Sequence, residues 1–197
     1  MSNATKTLSS ADNPALVGWW IVGLSALSTF VLLWLTPESG LRDELGYALR
    51  VTARLAFAML LLAYIARPWH QLTGTGGWLL RHRRYFGLSA AITHTAHFGY
   101  IVALFVLTEE TLETTTAVFG GLAYVLIWFM ALTSNRAAQR RMGLWWSRVH
   151  RFGMHYLWLI FMQVFAGVAI ATGEVLYVAI AALGLVALML RIAARVR

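Results

Sequence analysis

Six histidines, two of them three residues apart, carry the chemistry this sequence can offer. His94 and His97 sit inside one apolar stretch, on neighbouring positions of a single helix face. His150 and His155 open another such stretch, with Gln163 deeper in it, and Arg50 and Arg54 stand one turn apart at the start of a third. Within a membrane-length helix such groups are costly unless they face a partner or a cavity, so they mark where function is to be sought. Neutral imidazoles from facing helices, with no cysteine in the chain and no Asp or Glu well inside a span, suit haem iron better than zinc or calcium. Arginines level with a haem would neutralise its propionates. A proton relay would normally employ buried carboxylates.

Plainer explanations exist for each residue alone. A single membrane histidine often serves only as an interhelical hydrogen bond, and Gln163 has the same option. Paired arginines near a helix end commonly snorkel to headgroups. The functional case rests on the combination: two stretches present histidines and a third presents arginines. His70 and His82 are expected in a loop.

The elements that must hold these residues follow from composition. Of 197 residues, 59% are apolar and 12% charged, about half the charge of an average soluble domain. That much apolar surface cannot be hidden inside a globule of this size. The fold class is therefore an all-α integral membrane protein. Stretches near the 20 residues needed to cross a bilayer fall at about 16–36, 47–66, 85–107, 117–134, 152–172 and 175–192, predicting a six-transmembrane helix bundle over 16–197 after a mobile polar tail, 1–15. No cleavable signal peptide, internal repeat or low-complexity segment is expected. Absence of cysteine excludes disulfides and iron–sulfur clusters.

Six spans put Lys6, Arg67, Arg81, Arg83, Arg84, Arg136, Arg140, Arg141, Arg148, Arg151, Arg191, Arg195 and Arg197 on one side, against Asp12 alone. The other side holds Arg42, Arg50 and Arg54 against Glu38, Asp43, Glu44, Glu109, Glu110, Glu113 and Glu174. Basic residues concentrate on the cytoplasmic side, so both termini are expected to be cytoplasmic in a bacterial inner membrane. The net charge of +8 is thus topogenic, and no nucleic acid partner is expected. Helical rise sets depths: His97 is level with Gln163 and His150 with His82, while His94 and His155 differ by about 9 Å.

Two segments carry a family resemblance. The first is Arg83-Arg84-Tyr85-Phe86-Gly87-Leu88 with the apolar helix running on to His97 and Tyr100. The second runs from Ala131-Leu132-Thr133-Ser134 through Arg140-Arg141-Met142-Gly143 to Trp146 and His150. Together they resemble the ferric-reductase-like transmembrane family, most closely its short haem-only MsrQ/YedZ branch, over most of the chain from about Arg42 onward. The resemblance implies a b-type cytochrome. In that branch electrons pass from a cytoplasmic flavin or a membrane quinol to a periplasmic methionine sulfoxide reductase. His97 occupies the family's ligand position in span three and His150 the first in span five, and Arg50 matches an arginine opening span two. Where the family has a second span-five histidine, thirteen residues after the first, this chain has Gln163. His94 and His155 are additional. Either His97 or His94 pairs with His155 around one re-sited haem, or Gln163 leaves an iron site partly open to a small oxidant.

The expected function is transmembrane electron transfer through one or two b haems. Cofactor contacts are expected from His97, His150, His94, His155, Arg50, Arg54 and Arg84, with FMN or quinone on the cytoplasmic side and a periplasmic redox partner. The alternatives are a stand-alone ferric or superoxide-type reductase at the acidic outer face, and a haem-free scaffold or transporter whose histidines only hydrogen-bond.

Overall fold

A computed structural model describes residues 13–37, 39–108 and 110–196. Most of the expected tail, together with Glu38, Glu109 and Arg197, lies outside the described residues. Seven helices follow in order: α1 Pro14–Trp34, α2 Leu41–Thr73, α3 Gly77–Leu107, α4 Thr114–Leu132, α5 Arg136–Met142, α6 Leu144–Thr172 and α7 Val175–Val196. All but α5 are long and apolar enough to cross a membrane, and no strand occurs among the described residues. The chain is a multi-pass membrane protein.

Local chemistry sets the helix ends. Asn13 caps α1 by accepting from the Ala15 amide at 3.0 Å, and Pro14 follows at the first helical position, where its missing N–H costs nothing. Asn135 caps α5 in the same manner, accepting from Ala138 at 2.8 Å. Gly74 ends α2 in the left-handed conformation that glycine adopts freely. Three helices outrun their apolar stretches: α2, α3 and α6 extend well beyond 47–66, 85–107 and 152–172 at the arginine-rich end. Hydropathy marks only the segment in hydrocarbon, whereas intrahelical hydrogen bonding continues into the polar region. The loop expected around His70 and His82 therefore shrinks to three residues, with His70 on α2 and a buried His82 on α3.

Helix contacts close a ring in the order α2, α3, α4, α6, α7 and back to α2, with α1 outside it against α3 and α2. The ring's centre is filled by Phe57, Leu60, Ala90, Ala91, Ile127, Leu157, Phe161 and Phe165. Phe57 stacks on Phe161 and lies tilted against Phe165, each at 5.1 Å between ring centres. Small residues let the backbones approach, as membrane packing requires. A Cβ on Gly184 of α7 would collide with Met162 Sδ of α6. The outer faces present large apolar residues such as Trp19, Phe30, Val125, Ile170 and Leu183. At the end opposite the arginines, Arg42 and Glu110 pair at 2.6 Å.

Candidate functional site

Helix α3 places His94 and His97 one turn apart with their rings stacked, 5.3 Å between centres and 20° between planes. Thr52 of α2 fixes the second ring. Its Oγ1 donates to the Ala48 carbonyl at 2.7 Å, so the hydroxyl proton is already spent. It can then only accept from His97 Nδ1, 3.0 Å away, which assigns the Nδ1–H tautomer and leaves Nε2 with its lone pair. A side chain that holds one imidazole nitrogen so that the other can bind metal is the usual supporting arrangement around a ligand histidine. His94 lies edge-on to Phe161 of α6 at 5.4 Å, and its buried Nδ1 has no hydrogen-bond partner. A buried polar nitrogen without a partner is costly, and here it stands beside a pre-oriented one.

The second ring-fixing threonine caps the C-terminus of α4. Thr133 Oγ1 donates to the Phe129 carbonyl at 2.6 Å and lies 2.9 Å from His150 Nε2. By the same reasoning Nε2 donates to Thr133 and Nδ1 keeps the lone pair. Trp146 stacks on the His150 ring at 4.2 Å and donates Nε1–H to the Thr133 carbonyl at 2.9 Å. His150 thus faces a cavity in an orientation set by two neighbours.

That cavity, ≈ 1030 Å³, occupies the arginine-rich end of the bundle. Its floor includes Leu60, Ile127, Met154 and Leu157. Its walls carry Arg67 from α2, Arg81, Arg83 and Arg84 from α3, Arg136 from α5, Arg151 from α6, and Arg191 and Arg195 from α7. No Asp or Glu is among the described residues lining it. The volume is at the upper end of the range for small-molecule and cofactor sites.

His155 also stands at this end, yet both its nitrogens are committed. Arg195 Nη2 can only donate, so it donates to Nε2 at 3.1 Å. Nδ1–H then donates to the Tyr64 hydroxyl at 2.9 Å. The histidines therefore form two sets, His94 with His97 in the mid-bundle and His150 with His155 around the arginine cavity. His155 is not brought to His94 or His97. Gln163 is exposed. Thirteen residues at 100° each carry it about 220° round the helix from His150, away from the face that meets α2 and α3.

Of the arginines, Arg54 donates Nη2–H to the Tyr177 hydroxyl at 2.9 Å with its guanidinium 5.0 Å from that ring's centre, while its buried Nε is without a partner. Arg50 is exposed, and Arg84 lines the cavity. His82 donates Nδ1–H to the Trp78 carbonyl at 2.8 Å, leaving a buried Nε2 unpartnered. Thr52 and Tyr64 were not singled out by sequence, and Thr133 only as part of the second resembling segment, since threonine and tyrosine are common in such helices. No cluster of three or more His, Cys, Asp or Glu able to cage a metal ion occurs among the described residues.

The sequence has curated relatives. The chain is 27% identical over 167 residues, 73% of its length and 80% of the relative's, to the protein-methionine-sulfoxide reductase haem-binding subunit MsrQ of Yersinia pseudotuberculosis serotype O:1b (strain IP 31758). It is similar to the proteins of the same name from Yersinia pestis strains Pestoides F and Angola, again at 27% identity, over 73% of this chain and 79% of theirs. These relatives support the resemblance to the MsrQ branch. No family model matches the chain, and no solved structure matches it.

Proposed function

We propose that this protein is a haem-binding subunit, as the name of its MsrQ relatives says of them, and that it passes electrons across the membrane. The observation that carries the reading is His97, whose Nδ1 is held by Thr52 so that Nε2 is presented as a ligand nitrogen. The unpartnered Nδ1 of His94 beside it, and a donor set of neutral imidazoles without a carboxylate, fit a haem, which would ask few ligands of the protein. Bound there, the haem would supply one-electron redox chemistry.

The chain's own residues divide the remaining work. His97, or His94 beside it, would provide a ligand nitrogen in the mid-bundle, and His150, through Nδ1, would provide one beside the arginine cavity. Phe161, edge-on to the His94 ring, keeps water from it. Arg54, with its spare buried Nε, would neutralise a propionate at one level, and Arg84 at the other. His155 takes a supporting role through Tyr64. With the arginine-rich end on the cytoplasmic side of a bacterial inner membrane, and both termini there, a quinol or reduced flavin would deliver electrons at that end. A periplasmic acceptor such as a methionine sulfoxide reductase would receive them at the other. The pairing of Arg42 with Glu110 uses up part of the acidic charge that a stand-alone ferric reductase would need at that face.

The test is a reduced-minus-oxidised optical spectrum of the detergent-purified protein with haem counted per chain. A six-coordinate b-type spectrum at one or two haems per chain is expected, lost in His97→Ala and kept in His70→Ala. A protein without haem after reconstitution, or equal haem in both variants, would overturn the reading.

A further inference from the structure

The face of α3 that meets α1 and α2 carries polar groups with too few partners. His82, Ser89 and Thr93 lie along it at spacings of seven and four residues, none more than 2% exposed. Ser89 Oγ has no hydrogen-bond partner, nor has His82 Nε2, although Nδ1–H of that ring is held by the Trp78 carbonyl. On α1, Thr29 Oγ1 donates to the Ser25 carbonyl at 2.9 Å, so it can only accept from Thr93 Oγ1. That contact is 3.4 Å long, well beyond the roughly 2.7–2.8 Å of a good O–H···O bond. Polar groups left in this state inside a bundle are costly, and bound water is the usual remedy. Register brings a further hydroxyl and room. The Tyr85 ring lies against Gly18 and Thr93 meets Thr29, so α1 and α3 run in the same direction, with Ser25 level with Ser89. Thr52 opposite His97 sets the register of α2, which places the fully buried Ala56 level with Thr93.

We infer that the seam among α1, α2 and α3 binds water, at one site shared by Ser25, Ser89 and Thr93 and at another on His82 Nε2. Water fits because it donates and accepts at once. His82 Nε2 offers only a lone pair, whereas the hydroxyls can do either. A buried water typically makes about three hydrogen bonds, and Ser25, Ser89 and Thr93 supply that number. A metal ion would need more than the single imidazole on this face, and no cluster of three or more His, Cys, Asp or Glu occurs among the described residues. A lipid chain would leave Ser89 and His82 unsatisfied. Such waters tie α1, which stands outside the ring, to α3 by polar bonds inside the bilayer. Neither Ser89 nor His82 lines the arginine cavity, and the inference does not depend on haem.

The test uses the full-length protein in detergent, with two readouts. Brief X-ray radiolysis makes hydroxyl radicals from water in place, so a buried ring is oxidised only where water stands beside it. Phe86 is buried on the same face, between His82 and Ser89, whereas Phe57 fills the apolar centre of the ring. Mass spectrometry should find Phe86 oxidised at least fivefold more than Phe57, and equal labelling overturns the inference. Thermal unfolding supplies a sign. Ser89→Ala removes a partner of the water, so it should melt at least about 2 °C below Ser28→Ala. Ser28 is exposed on α1, and its replacement carries the same gain in helix propensity. Were the Ser89 hydroxyl dry, its removal would relieve an unsatisfied group instead, and Ser89→Ala would melt as high as Ser28→Ala or higher. That result overturns the inference as well. The radiolysis comparison is made on the wild type and stands even if Ser89→Ala fails to fold.

Discussion

Arg191 of α7 donates from Nη1 to the carbonyl of Tyr64 on α2 at 3.4 Å, supplying the hydrogen bond that Pro68 cannot. In an unbroken helix the amide four residues on would donate to that carbonyl, but proline has no N–H. The guanidinium also lies 4.2 Å from the centre of the Tyr64 ring. A buried tyrosine, an interior proline and a distant arginine thus form one unit, which ties α7 to α2 and holds the hydroxyl that His155 uses.

This unit predicts a non-additive mutant pair. Arg191→Met should cost about 1.5–3 kcal/mol, the usual range for a hydrogen bond to a charged group. In a Pro68→Ala background the helix can satisfy the Tyr64 carbonyl itself, so the same change should cost less by at least about 0.5 kcal/mol. Unfolding in detergent measures both, and identical costs in the two backgrounds would remove the proposed relationship.

Thr52 gives a prediction about cofactor affinity. Thr52→Val keeps the shape of the side chain but leaves His97 Nδ1 without its acceptor, so the ring is free to turn or change tautomer. Loss of such a supporting contact typically lowers metal affinity 10- to 100-fold. Haem titration into the apo-protein should show a drop in that range with the protein still folded. Affinity equal to wild type would mean that Thr52 does not set the ligand nitrogen.

Gln163 and His155 show where sequence and structure part. On the family resemblance, Gln163 stands at a lost ligand position and His155 is a candidate replacement. The helix turns Gln163 to the exposed side, while Arg195 and Tyr64 occupy both nitrogens of His155. Gln163→His should therefore leave haem content unchanged, and His155→Phe should keep haem while lowering the melting temperature. Haem loss in His155→Phe as complete as in His97→Ala would restore His155 as a ligand.

The six spans were legible because a bilayer demands long apolar helices, and composition records that demand directly. The pairing of His94 with His97 was legible because it lies within a single helix, where periodicity is fixed. The partners of each histidine were not. Thr52 lies 45 residues from His97, and Tyr64 lies 91 from His155. Such contacts depend on which helices are neighbours and how each is rotated, and similar helices carry weak signals for either. The cavity was hidden for a related reason: its arginines, Arg84 apart, read as topology until the closed ring of helices gathered them.

Gly184 gives a packing prediction free of any cofactor. An added Cβ there would collide with Met162 Sδ and lie 3.3 Å from Phe57, and the same residue's carbonyl accepts Trp158 Nε1–H at 2.9 Å. Gly184→Leu must displace the Met162 side chain or push α7 away from α6, straining the core and stretching that hydrogen bond. The cost should reach at least about 1–3 kcal/mol, the range for overpacking a well-filled interior. Gly23→Leu on α1 makes the control, since nothing lies within 4 Å of a Cβ built there. Thermal unfolding of the two variants in the same detergent should show a clear drop for Gly184→Leu and little change for Gly23→Leu. Equal melting temperatures would mean that α6 and α7 do not meet at this glycine.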